Sequence, residues 1–328
     1  MRVAMLSRWH VHADEYAKDV NDHPHAEVVA VWDEDGERGS AWSAALSAEW
    51  VSDLDALLAR DDIDAVCVTT PTSLHEDVII RAANAGKHIF TEKVLAPTVS
   101  QCRNIATSIR TNNVKFSISL PRRCIPEILY ARQALDSGLL GEPTMVRVRI
   151  AHDGATRNWL PAHFYDPATA VGGAMLDLGA HGMYITRWLL GEPIRVTSIF
   201  SHVTDRALED NAISLIEYGG GAIAINETGF VSFGGFYSLE IDGTQGNYRM
   251  LSPQQGVEVR HAGTENTWQK VTDLPPRRPK PATQWIDECE GGAPADFGLD
   301  EAIGLTELME AAYTSFRERR TVSVSELS

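Results

Sequence analysis

Two residues four apart open the chemistry of this chain. Asp177 and His181 close the run Gly172-Gly173-Ala174-Met175-Leu176-Asp177-Leu178-Gly179-Ala180-His181, whose periodicity predicts a helix from about Gly173 to Leu190 that stops at Gly191-Glu192-Pro193. A four-residue spacing puts both side chains on one helix face. Imidazole, with an ordinary pKa of about 6.5, suits proton transfer at neutral pH, and a carboxylate beside it can orient a reacting group. Lys93 is the third candidate. It follows the apolar run His88-Ile89-Phe90 in Thr91-Glu92-Lys93, where a buried strand ends. Open α/β sheets place ligands at the carboxyl ends of their strands.

A second set sits at the first turn, Ser7-Arg8-Trp9-His10-Val11-His12-Ala13. A dinucleotide site would place Gly-x-Gly-x-x-Gly there, and no glycine is present. The expectation is that bulky side chains fold away, so that backbone N–H groups of Ser7, Arg8, Trp9, His10 and Val11 face a pyrophosphate, with Arg8 as the cation. Asp33 ends the second apolar run, Val28-Val29-Ala30-Val31-Trp32. There it can accept from an adenosine ribose and repel a 2′-phosphate, which favours NAD over NADP. His10 and His12 have metal-ligand character, but the sequence offers them no third partner, and no metal is expected.

The elements that must position these residues divide into two styles. Up to about residue 120, continuous apolar runs alternate with helical stretches, the pattern of a parallel sheet covered on both faces. From Val146-Arg147-Val148-Arg149-Ile150 onward, short alternating strands with Gly-containing turns predict an antiparallel sheet. The predicted domains are 1–120 and 121–328, with a last helix at about 300–319 packing back on the first. The charge, 29 basic against 45 acidic residues for a net −16, opposes nucleic acid and anionic membrane surfaces. No apolar stretch reaches the ~20 residues of a membrane span, and the N-terminus turns polar after Leu6, too soon for a signal peptide. Cys67, Cys102, Cys124 and Cys289 read as reduced thiols. A cytoplasmic protein is expected.

The order of motifs resembles one family. Val68-Thr69-Thr70-Pro71-Thr72-Ser73-Leu74-His75, then Ala85-Gly86-Lys87-His88-Ile89-Phe90-Thr91-Glu92-Lys93, then Gly172 to His181 are similar to the Gfo/Idh/MocA oxidoreductases. The resemblance extends to Arg122-Arg123-Cys124-Ile125-Pro126, Gly243-Thr244-Gln245-Gly246 and Arg319-Arg320-Thr321-Val322. It implies an N-terminal Rossmann domain and a C-terminal α/β domain with a large open, mainly antiparallel sheet. It also implies hydride transfer between a sugar, sugar-derivative or cyclitol hydroxyl and NAD, with NADP less favoured. Lys93, Asp177 and His181 become the catalytic set, with His181 as base and Lys93 as relay, or these two roles exchanged, and Asp177 as orienter. Thr70, Pro71, His75, Glu92 and Lys93 join the cofactor-binding residues. Arg122, Trp159, His163 and Tyr165 join Asp177 and His181 at the substrate. Two departures stand out: Val94 replaces the family's proline after the lysine, so a trans peptide is expected, and Tyr184 and Ile185 stand where an acid usually follows the histidine. Relatives that cleave glycosides by transient oxidation, and non-catalytic NAD-binding regulators, are the alternative activities. One uncovered sheet face implies a homodimer or homotetramer.

Overall fold

The computed structural model describes residues 1–327. Residues 1–120 and 279–306 form one compact unit, and residues 121–278 and 307–327 form another.

The first unit is built on six parallel strands: β1 (Arg2–Leu6), β2 (Glu27–Trp32), β3 (Glu49–Trp50), β4 (Ala65–Val68), β5 (His88–Thr91) and β6 (Phe116–Ile118). Their order is β3-β2-β1-β4-β5-β6. The continuous apolar runs are buried on both faces, as at Ala65, Val66, Cys67 and Val68. Helices α1 (Ala13–Asn21), α2 (Gly36–Leu46), α3 (Leu54–Leu58), α4 (His75–Asn84) and α5 (Val99–Thr111) connect them. Asp35, Asp53 and Thr98 cap α2, α3 and α5 through side-chain oxygens. The strand order reverses at β1 and β4, and such a switch point is where doubly wound sheets bind ligands. β3 has two residues and left no periodic trace in the sequence. The helix Pro281–Cys289 returns to this unit, seating Ala282, Trp285 and Ile286 in one core with Val3, Met5, Tyr16 and Phe90.

The second unit carries helix α6 (Pro126–Asp136) and a nine-stranded sheet. Its strands are β7 (Pro143–Ala151), β8 (Pro193–Ser201), β9 (Asn211–Tyr218), β10 (Ile223–Gly229), β11 (Phe236–Gly243), β12 (Gly246–Met250), β13 (Val257–His261), β14 (Gln269–Lys270) and β15 (Val322–Ser323). They lie in the order β14-β13-β12-β11-β7-β10-β9-β8-β15. Within this sheet, among the described residues, only β7 and β10 pair in parallel. Alternation decides the faces. Val146, Val148, Ile216, Ala224, Leu239 and Ile241 point into the core, while Met145, Ile199, Leu215, Ile223 and Phe236 are exposed. Helix α7 (Ala180–Leu190) packs on β7 and β10. No described helix is long and apolar enough to cross a membrane.

Candidate active site

In the second unit, the expected single helix from about Gly173 to Leu190 is two pieces. A π-helical stretch, Met175–Gly179, leads into α7. The sheet side explains the change: Asn226 Nδ2 donates to the Gly179 carbonyl at 2.8 Å, and Thr228 Oγ1 donates to that of Ala174 at 3.2 Å. Carbonyls held by β10 are drawn out of a regular α ladder, and π-turns of this kind gather at functional sites. Asp177 lies in the π-stretch and His181 in the first turn of α7. The start of the segment is held by buried Glu209, whose Oε1 accepts from the N–H groups of Gly173 and Met175 and from the Tyr313 hydroxyl. Gly182 is required by close approach, because a Cβ there would lie 2.0 Å from Asn226 Oδ1. Gly182→Ala is therefore expected to lower stability by about 1–3 kcal/mol, as measured by urea unfolding.

His181 is buried, and its Nδ1 lies 2.9 Å from the Tyr184 hydroxyl. That hydroxyl also accepts the Arg122 N–H at 3.1 Å. Burial drives the Tyr184 pKa well above its usual value, against the opposing pull of the Arg122 cation, so the phenol stays protonated. Tyr184 thus stands in for the missing acid but without a charge. The Arg122 guanidinium itself lies over the Tyr237 ring at 4.6 Å.

Around Asp177 the fold gathers residues that motif reading did not single out. His152, just past β7, stacks on Phe230 at 4.9 Å and lies 4.5 Å from the Trp159 ring. Tyr165 packs edge-on to Phe230 and lies under the Arg206 guanidinium at 3.7 Å. Its buried hydroxyl has no hydrogen-bond partner among the described residues. Burial lowers the His152 pKa and raises that of Tyr165, and the Asp177 charge acts on both, which places them in its neighbourhood. Trp159 is half exposed, with its indole N–H on Asp153 at 2.9 Å. His163 lies against Phe164, ring to ring at 5.2 Å. His152 and Arg206 were missed because neither belongs to a spaced motif; the signal was a histidine ending a strand.

In the first unit, Lys93 and Glu92 are both buried at the end of β5, with Lys93 Nζ 4.0 Å from Glu92 Oε1. The Lys93–Val94 peptide is cis, contrary to the trans form expected without proline. Its surroundings hold it closely: Val94 and Leu95 are buried, and their carbonyls lie 3.0 and 3.2 Å from His75 Nδ1. His75 Nε2 lies 3.1 Å from the Thr70 carbonyl. His75, expected to bind the cofactor, has its ring between the carbonyls of two strand-end loops.

Burial lowers the His75 pKa, as it does that of His152. In the unfolded chain both groups titrate at about 6.5. Below that pH the unfolded chain binds more protons than the folded one. The stability contributed by these neutral imidazoles is thus complete above about pH 6.5 and is lost as pH falls toward the folded values. The urea midpoint is expected to drop between about pH 7.5 and 5.5, and the drop should be smaller in His152→Phe, which keeps the ring stack.

At the first turn, most of the N–H groups expected to face a pyrophosphate have partners within the protein. The N–H of Ser7 donates to the Trp32 carbonyl, that of Arg8 to Asp33, that of Trp9 to Ser7 Oγ, that of His10 to the Thr69 carbonyl and that of His12 to His10 Nδ1. Without glycines the turn closes on itself, and the N–H groups of Ser7, Arg8, Trp9 and His10 are engaged within the protein. Arg8 pairs with Asp14 through two contacts, at 2.9 and 2.6 Å. Val11 is half exposed. Asp33 is also changed in meaning. Its Oδ1 accepts from Arg38 and the Asp35 N–H, and its Oδ2 from Arg38 and the Arg8 N–H. Those four bonds fill the acceptor sites of a carboxylate. Arg38 was not foreseen because it lies a turn into α2, outside any motif.

The comparisons agree with this architecture. A family profile described as the NAD-binding Rossmann fold of an oxidoreductase family matches residues 10–120, and the GFO/IDH/MocA C-terminal domain matches residues 128–249. The scyllo-inositol 2-dehydrogenase (NAD(+)) of Bacillus subtilis is 31% identical over 92% of this chain and 90% of its own length. The chain belongs to the Gfo/Idh/MocA family. An inositol 2-dehydrogenase of Rhizobium meliloti is 28% identical over 94% of this Gfo/Idh/MocA chain and 95% of its own. Among solved structures, GenD2 from gentamicin A biosynthesis in complex with NAD shares 26% identity, with a TM-score of 0.84 over 98% of this chain and 96% of that one. The chain is thus an NAD(P)-binding oxidoreductase of the family. Its residues fit such a cofactor: Thr70 Oγ1, at the end of β4 beside Pro71, is buried with no hydrogen-bond partner among the described residues, and Lys93 and the Asp33–Arg38 pair stand at the ends of β5 and β2.

Proposed function

We propose that this protein oxidises a secondary hydroxyl of a cyclitol or sugar with NAD. The observation that carries the reading is the Tyr184–His181 pair on the segment that bears Asp177. The Tyr184 hydroxyl accepts the Arg122 N–H, and the role proposed for its own proton is donation to His181 Nδ1. Neutral His181 then carries its proton on Nε2 and donates to the substrate oxygen instead of taking a proton from it. The sequence left the base role open between His181 and Lys93; this tautomer gives the hydroxyl proton to Lys93. Asp177 accepts from a neighbouring substrate hydroxyl, and the Tyr165 hydroxyl is a further polar group for the ring. Support for a polyol comes from the inositol dehydrogenases among the relatives.

When bound, the nicotinamide ring accepts the hydride. Thr70, Glu92 and Lys93 are the residues proposed to face it. The adenosine end falls to Asp33, Glu34 and Asp35, whose three negative charges outnumber the single Arg38 cation and favour NAD over NADP. Freeing Asp33 for a ribose hydroxyl requires Arg38 to move. Arg38→Ala is accordingly expected to raise the NAD-to-NADP affinity ratio by about tenfold, the equivalent of one charge-assisted hydrogen bond; an unchanged ratio in titrations of both cofactors would remove Arg38 from this role.

Thermal-shift titration tests the cofactor reading directly. NAD should raise the melting temperature at lower concentration than NADP, and a chain that shifts with neither is not acting through a nicotinamide. For assembly, the exposed face with Ile199, Leu215 and Ile223 also presents the paired charges Arg195–Glu217 and Arg147–Glu227. A self-complementary face of this kind suits a second copy of the chain. Light scattering should report a dimer or tetramer, and a monomer would refute that part.

A further inference from the structure

The first turn and the end of β5 bring together three side chains that lie far apart in sequence. His12 Nδ1 is 3.2 Å from Glu92 Oε2, and His10 Nδ1 is 3.7 Å from the same oxygen. One donor atom from each of the three residues lies within 4.8 Å of the others. The His10-x-His12 spacing alone carried no metal expectation, because a third ligand was missing from the sequence. The parallel order β1-β4-β5 supplies it, by setting the β1–α1 turn beside the end of β5.

We propose that His10, His12 and Glu92 form a binding site for a divalent transition metal of the Zn2+ class. Two imidazoles and one carboxylate make a donor set that such ions favour, whereas Mg2+ and Ca2+ prefer oxygen ligands alone. Donors held about 2.0–2.1 Å from a tetrahedral ion lie roughly 3.3 Å from one another, close to the 3.2 Å between His12 Nδ1 and Glu92 Oε2, and ligation through His10 Nδ1 would displace the His12 N–H that it accepts. The carboxylate is also supported from behind, as ligating carboxylates are. The Tyr16 hydroxyl bonds Glu92 Oε2, and the same hydroxyl lies 2.7 Å from Ser119 Oγ. His10 and Glu92 are buried, while His12 is 36% exposed and marks the side open to solvent and to a fourth ligand. An ion here also places positive charge at a turn where the N–H groups of Ser7, Arg8, Trp9 and His10 have partners within the protein. The site belongs to the first unit alone and does not rest on the oxidoreductase reading.

The test uses tag-free full-length protein, stripped with a chelator and titrated with Co2+ and then with Zn2+ in competition with a chromophoric chelator. One ion per chain, with the intense visible absorption of four-coordinate Co2+, is expected. His10→Asn and Glu92→Gln should each weaken Zn2+ binding by at least about 100-fold, with circular dichroism confirming that both variants fold. His23→Asn is the control, because His23-Pro24-His25 repeats the spacing outside the cluster, and it should bind Zn2+ as the parent does. Absence of stoichiometric binding, an octahedral aqueous Co2+ spectrum, or equal affinity in folded His10→Asn and Glu92→Gln would each overturn the site. Because no cofactor or substrate is present, failure of the metal site leaves the NAD titration untouched, and the reverse also holds.

Discussion

Lys93→Met is expected to lower kcat by about 10²–10⁴-fold, the usual contribution of a positioned proton-transfer group. Methionine nearly matches the lysine stem in length and adds no polar atom to a site where Lys93 is buried. The fold should tolerate it, since the loop is held by the His75 contacts to Val94 and Leu95 and by the buried Val94 and Leu95 side chains. The melting temperature should change little and NAD should still shift it. Loss of turnover with binding retained is the pattern of a group that acts in the chemical step. Near-parental kcat in a folded Lys93→Met would remove the lysine from the mechanism.

His181→Ala is expected to cost about 10²–10³-fold in kcat, in the range measured when one donor to a developing oxyanion is deleted. Tyr184→Phe should cost less, about tenfold, because it removes only the group that fixes which nitrogen carries the proton. The two variants separate the possible roles. If His181 donates through Nε2, freeing Nδ1 in Tyr184→Phe lets the other tautomer compete, and kcat falls while KM is largely kept. If His181 were the base, loss of the Tyr184 proton from Nδ1 would instead favour Nδ1–H, open Nε2 to accept, and raise or preserve kcat. An increase in Tyr184→Phe would therefore return the base role to His181. Leaving the Arg122 N–H without its acceptor adds a stability cost of about 1–3 kcal/mol, which unfolding measurements on the same variant will report.

The layers of the fold were legible where hydrophobic pattern and burial agree. Continuous runs such as Ala65–Val68 marked strands covered on both faces, and alternation in Val146 to Ile150 marked a sheet with one face open. Two-residue strands such as β3 carry no period to read. The π-stretch under Asp177 escaped notice because its cause lies elsewhere, in Asn226 and Thr228 of β10. The same holds at the sites. Lys93, Asp177 and His181 could be named from local motifs, but the partners that set their behaviour are tertiary. Arg38 neutralises Asp33 from α2, and Glu92 meets His10 and His12 from a strand two places away in the sheet. Sequence spacing recorded which residues could do chemistry. Side-chain contacts across elements, which no local pattern records, set the surroundings in which those residues act.

The most direct measurement of the central claim is a panel of cyclitols and sugars assayed with NAD for the appearance of reduced cofactor, with the parent chain and Lys93→Met side by side. The account expects at least one polyol to yield reduced nicotinamide with the parent, and that signal to fall by orders of magnitude in the variant. A panel that includes the inositols and produces no reduced cofactor with an NAD-binding parent, or one in which Lys93→Met keeps pace with it, would contradict the account.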